Sequence, residues 1–193
     1  MGVPTRVRVL PSSEVRLLRP IATLAALATL SAAAAECLAQ TPRDPEVEAR
    51  MMEQLAPRFA VLDRMVVEVR LMGNAEALGL SRVALTGAAR EFVGRAMPEM
   101  VLLDSVESDE ASMLDTGHLV LHVWVVGEGV HVAFHSEIEF GPVGQGKPYS
   151  SALLGHSGQQ RLARDVRAAF EGLIGGFASF FHRTRALVPT SGS

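Results

Sequence analysis

The chain is 193 residues long and 48% apolar, with 18 basic and 21 acidic side chains for a net charge of −3. That is enough polypeptide for one domain with its own core. Lys147 is the only lysine, and beyond residues 1–39 no basic stretch is present that could neutralise a run of phosphates, which excludes nucleic acid as an expected partner.

Residues 1 to 19 carry Arg6, Arg8, Arg16 and Arg19 against the single acid Glu14, and residues 21 to 35 read IATLAALATLSAAAA. A basic start, a short uncharged apolar run and small residues beyond it form the pattern of a secretory signal peptide. The run is shorter than the ~20 residues a helix needs to cross a bilayer. Cleavage is expected after Ala39 or after Ala35, so residues 1–39 are read as a leader and the mature chain as periplasmic or secreted, with no membrane span left. Glu36 precedes Cys37 where a lipobox needs a small residue, so lipidation is not expected. Removing residues 1–39 takes four arginines, two glutamates and the only cysteine, leaving 14 basic and 19 acidic groups. A disulfide framework, a cysteine-ligated zinc and a thiol nucleophile go with that cysteine.

Residues 40–63 are read as a linker and a short helix, in which Val47, Met51 and Leu55 have helical spacing, Pro45 suits the first turn and Pro57 ends the helix. RMVVEVRLM, residues 64 to 72, alternates Met65, Val67, Val69 and Leu71 against Glu68 and Arg70, as a half-buried strand does. After the loop NAEALGL, Ser81 is placed to cap a helix with an apolar stripe of Leu85, Ala88, Ala89, Phe92, Val93 and Ala96, stopped by Pro98. MVLLD, 100 to 104, reads as a short buried strand. The acidic segment 104 to 117 lacks the spacing of a calcium loop and is expected to be solvated surface.

A hairpin follows, HLVLHVWVVGEGVHVAFHSEIEF, residues 118 to 140, and it holds four of the six histidines. A two-residue Gly127-Glu128 turn would set Val125 opposite Val130, Val123 opposite Val132 and Leu121 opposite Phe134. That register also places His118 opposite Glu137 and Trp124 opposite His131. GPVGQGKP, 141 to 148, is a Gly/Pro loop, and YSSALLG reads as a further strand. A last helix over 158 to 184 carries Leu162, Val166, Phe170, Leu173, Phe177 and Phe181 on one stripe, with Gly172, Gly175 and Gly176 read as sites of close backbone approach to a sheet. Residues 187–193 are read as a disordered tail.

Alternation puts His118, His122, His131 and His135 on the outer face of the hairpin. Residues four apart on one strand are ~13 Å apart, so neither His118 with His122 nor His131 with His135 can share an ion. Only the diagonal neighbours, His122 with His131 or His135 at ~7–8 Å between Cα atoms, could hold a weak metal site. His156 and His182 have no partner visible in the sequence. GLSRVALTG is not a nucleophile elbow, and GPVGQGK followed by Pro148 is not a phosphate loop. No catalytic, cofactor-binding or metal residue is therefore assigned.

VVEVRL, GLSRVALTGAAREFV, HLVLHVWVV, VHVAFHSEIEF and RLARDVRAAFEGLIGGFASFF occur in an order that resembles small exported bacterial α+β proteins, themselves uncharacterised. The resemblance implies a compact periplasmic domain and no particular site residue. The resulting expectation is one α+β domain over 64–186, a mostly antiparallel sheet of about four to five strands with two helices on one face. Its expected role is non-enzymatic and without cofactor, meeting an envelope protein or polymer through the outer sheet face or a sheet edge. The alternative is a small periplasmic metal-binding protein using His122 with His131 or His135.

Overall fold

The structure, a computed structural model, describes residues 44–105, 114–127 and 130–188. The leader, residues 40–43 of the linker, most of the acidic loop, Glu128 and Gly129 of the hairpin turn and residues 189–193 of the tail lie outside the described residues.

The order of elements is α1 (Pro45–Ala60), β1 (Arg64–Gly73), α2 (Arg82–Ala96), β2 (Val101–Leu103), β3 (Thr116–Val126), β4 (His131–Pro142), β5 (Tyr149–Gly158), a 3-10 turn (Gln159–Arg161) and α3 (Leu162–Arg185). The fold is α+β: among the described residues, one five-stranded sheet in the order β2-β1-β3-β4-β5 with three helices.

The sheet is mixed, so the expected mostly antiparallel sheet holds only approximately. β1 runs parallel to both β2 and β3, and only the β3–β4 and β4–β5 pairs are antiparallel. Helix α2 makes the crossover between β1 and β2, as a parallel pair requires. β2 is only three residues long. Its Val101 already lies beside Arg64, the residue that Thr116 flanks on the other side. The chain leaving β2 is therefore still near the end of the sheet from which β3 starts. β2 is also less buried than expected, with Val101 57% exposed, because it closes an edge.

Among the described residues three helices are docked: the two expected on the sheet and α1, the short helix expected within residues 40–63. Pro57 does not end α1, which continues to Ala60 and buries Leu55, Ala56 and Phe59. A proline inside a helix removes one hydrogen bond and crowds the preceding turn, but this one stands in the last turn. Beyond it Phe59, fully buried, packs edge-on against Phe140 at 5.3 Å and beside Phe181 at 5.3 Å. Arg183 of α3 holds Glu48 of α1 at 2.6 Å.

α2 begins as the sequence indicates, with Ser81 Oγ accepting from Ala84 N at 3.3 Å. α3 supplies the longest apolar face: Leu162, Val166, Phe170, Leu173, Phe177 and Phe181 are each at most 1% exposed. Its glycines are not close-approach positions. Gly172, Gly175 and Gly176 are exposed, and a Cβ at Gly172 or Gly175 would meet nothing within 4 Å. Close approach occurs in the sheet instead, where two aromatic rings of β4 fill the space left by missing side chains. Phe140 lies over Gly117 of β3 and Phe134 over Gly155 of β5.

The hairpin register differs from the expected one. Val125 pairs with Phe134, Val123 with Ser136, Leu121 with Ile138 and Val126 with Ala133. The β3–β4 pairing therefore ends at Val126 and Ala133, well before a two-residue turn, while His131 and Val132 pair with β5 only, opposite Gly158 and Ser157. The displacement is four residues, an even number, so every side chain keeps its face. Gly127, at φ +119, has its carbonyl bonded by Asn74 Nδ2 at 3.2 Å, and Val130 O accepts from Gln159 N at 3.3 Å. Contacts from Asn74, just after β1, and from Gln159 of the 3-10 turn thus hold the hairpin end open.

Candidate functional site

The helices cover the face carrying Met65, Val67, Leu119, Leu121, Val123, Ile138 and Phe140. The opposite face carries, on β1, Val66, Glu68 and Arg70; on β3, His118, Val120, His122 and Trp124; and on β4, His135, Glu137 and Glu139. All four hairpin histidines lie on this outer side, as alternation requires.

Val120 stands at the centre and is 0% exposed although it points away from the helices. The side chains around it close over it. Glu68 flanks it on β1 and Glu139 on β4. Each carboxylate joins one permanent cation to one imidazole. Glu68 takes Arg70 in two hydrogen bonds, at 2.7 and 3.0 Å, and its Oε2 lies 3.0 Å from His118 Nε2. Glu139 accepts from Lys147 Nζ at 3.1 Å, and the same oxygen lies 3.2 Å from His122 Nε2. The chain's single lysine is brought here by the Gly/Pro loop between β4 and β5.

These contacts set the charge states. The hydrogen bonds and charge of Arg70 hold the Glu68 carboxyl below the usual carboxylate value, with help from His118 and against some burial. Burial pushes the Glu139 carboxyl up, but the hydrogen bonds and charges of Lys147 and His122 together outweigh it, so it too ionises more readily than a free glutamate. Burial pulls the His118 imidazole below its ordinary value and the nearby Lys147 charge adds to this, over the opposing pull of Glu68. The Arg70 guanidinium is held still more firmly charged by Glu68.

His122 is 8% exposed, and its ring stacks on Trp124 at 5.3 Å and 19°. Its Nδ1 is buried without a hydrogen-bond partner. Trp124 also meets the His135 ring at 5.2 Å, as its directly opposite residue in β4. Beyond Trp124 the face turns apolar and open, with Val126 69% and Leu154 73% exposed on the same side of the sheet. The outer face therefore has a closed network of charges at one end and an uncovered apolar corner at the other, with Trp124 at the boundary.

The expected pairings of these residues change with the register. His118 lies opposite Gly141, not Glu137, and Trp124 lies opposite His135, not His131. His122 lies opposite Glu137, so His131 is six residues farther along β4, ~20 Å away, and cannot share an ion with it. His135 remains a diagonal neighbour, but Trp124 contacts both rings. Among the described residues, no group of three or more His, Cys, Asp or Glu side chains is arranged to hold a metal ion. His156 is exposed on β5, and His182 does have partners: Ala96 O at 3.2 Å and Glu99 at 3.5 Å. Sequence reasoning missed Glu68, Arg70, Glu139 and Lys147 as members of the site. The alternation of β1 did show Glu68 and Arg70 on its polar side, but the strand beside which that side lies was not visible.

No protein-family model matches the chain, and no curated protein matches it in sequence. Among solved structures, the chain is similar to the PelC dodecamer of Paraburkholderia phytofirmans, at 15% identity over 65% of this chain and 91% of that one, with a TM-score of 0.44. A substituted form of that dodecamer gives 14% identity over 63% and 88%, with a TM-score of 0.43. A protein described as uncharacterized gives 13% identity over 65% and 92%, with a TM-score of 0.34. No described helix is long and apolar enough to cross a membrane.

Proposed function

We propose that the chain is a non-enzymatic binding domain of the bacterial envelope, exported by the leader read in residues 1–39, whose outer sheet face meets a protein or polymer partner. The observation that carries this reading is the contrast within that face. In its charged half the Glu68 and Glu139 carboxylates are already paired internally, each between a cation and an imidazole. Its other half leaves Val126, Leu154 and the edge of Trp124 open, with no described helix on that side. A partner gains by covering the apolar corner and needs to supply only neutral hydrogen-bonding groups where it crosses the network.

Photo-crosslinking in the native envelope tests this. A photoreactive residue at Leu154 or His135 is expected to give one discrete adduct, and one at Val83 on the exposed side of α2 none. Equal labelling from the two sides would sink the reading. An adduct resistant to protease would identify the partner as a polymer.

A further inference from the structure

The open corner of the outer face carries histidines among its apolar residues. Strand pairing sets three rows there: Met72, Trp124, His135 and Leu154; then Val126, Ala133 and His156; then His131 opposite Gly158. All are exposed or half-buried. His156 lies opposite Ala133, which makes it the diagonal neighbour of both His131 and His135, at ~7–8 Å between Cα atoms. No acid, lysine or arginine stands in these rows. The three imidazoles differ from those of His118 and His122, which meet Glu68 and Glu139. Among the described residues none of the three has a hydrogen bond or ion pair, and His135 contacts the ring of Trp124.

We infer that this corner is an acid-released contact, which holds its partner while His131, His135 and His156 are neutral and lets it go once they are protonated. The inference rests on the outer-face reading and names the regulation of that same site. Imidazole is the side chain whose charge changes between about pH 5 and 8. With the three rings neutral, a partner covers an uncharged surface of apolar and aromatic groups. With them protonated, positive charges stand among those same groups, and covering them strips their hydration. The groups facing the corner do not offset them. Glu137, two residues from His135 on β4, brings one negative charge, while Arg70 and Lys147 are held by Glu68 and Glu139. At the end of the sheet Asn74 and Gln159 are neutral, Glu76 is paired with Arg82, and Arg161 adds a positive charge. Even with Glu128 of the hairpin turn counted, two acids face three imidazolium ions and Arg161. The helices lie on the opposite face. Each imidazole that must shed its proton to be covered weakens the contact by up to about tenfold per pH unit below its midpoint, so three together give a steep release.

Retention of the purified chain on phenyl-agarose reads the corner without its partner. The chain is expected to be held at about pH 7.5 and released at about pH 5.5, with the same far-UV spectrum at both. The triple variant His131→Gln, His135→Gln and His156→Gln is expected to be held alike at both. His118→Gln, which alters the charged network instead, is expected to keep the wild-type response. If the triple variant loses its far-UV spectrum, His131→Gln with His156→Gln, both exposed, is expected to shrink the change. In the native envelope, the adduct from a photoreactive residue at Leu154 is expected to fall about tenfold or more over the same span. Retention or adduct equal at the two pH values, or a folded variant that still responds as the wild type does, overturns the inference and leaves the outer-face reading standing. An adduct at neither pH overturns that reading, and the inference with it.

Discussion

Replacing Gly117 by alanine tests the packing that sets the two faces of the sheet. A Cβ at this position would lie 2.5 Å from both Cε2 and Cζ of Phe140, about 1 Å inside an ordinary carbon contact of roughly 3.5–4.0 Å. The ring cannot simply swing away. It is 0% exposed and held by Phe59 at 5.3 Å, Phe177 at 4.6 Å and Phe181 at 6.0 Å. Overpacking of this kind costs about 1–3 kcal/mol. Restricting the unfolded chain by removing a glycine returns ~0.4–1 kcal/mol, so a net loss of about 1–2 kcal/mol is expected. In a domain of this size that lowers Tm by roughly 2–8 °C, read by calorimetry or denaturant unfolding. Phe140→Leu removes the atoms that clash, so the double variant is expected to lose less than the sum of the two single losses, by about 1 kcal/mol. Stability unchanged by Gly117→Ala, or strictly additive losses, would refute the reasoning.

Acid is expected to destabilise the fold in two stages. His118 has its folded pKa below the ordinary 6.5, so the stability it confers is full above 6.5 and is lost as pH falls through the folded value. Glu68 and Glu139 have folded pKa values below 4.5, so their contribution is full above 4.5 and disappears at lower pH still. His118→Gln should abolish the first stage in a pH series of melts and leave the second; a first stage that survives it contradicts the assignment. Ser136 is 0% exposed on the helix side of β4 and its hydroxyl has no hydrogen-bond partner. Ser136→Ala is therefore expected to raise stability by about 1 kcal/mol, and a loss in the same melting assay would show that the hydroxyl is satisfied. The hairpin register is checked by Val126→Cys with Ala133→Cys, paired residues expected to form a disulfide under mild oxidation. The pair Val125→Cys with Val130→Cys, which a two-residue turn would oppose, is expected to stay reduced.

The sequence by itself determined which way each side chain faces. Period-two alternation separates Leu119, Leu121, Val123 and Val125 from His118, His122 and Trp124 whatever the pairing, and the apolar stripe of α3 identifies its buried side. Ser81 marks the start of α2 because its hydroxyl satisfies the helix's own backbone, a local interaction that needs no other element. Only the tertiary structure decided the register of the hairpin. A four-residue displacement leaves every side chain on the same face, so the alternation that pointed to a tight turn is equally consistent with the open one, and contacts from Asn74 and Gln159 choose between them. The same holds for the parallel placement of β1 between β2 and β3, which brings Glu68 beside His118, fifty residues away in sequence. The charged network on the outer face is made of such distant pairs. Their attraction depends on which strands are neighbours, a relation that no local pattern of residues carries.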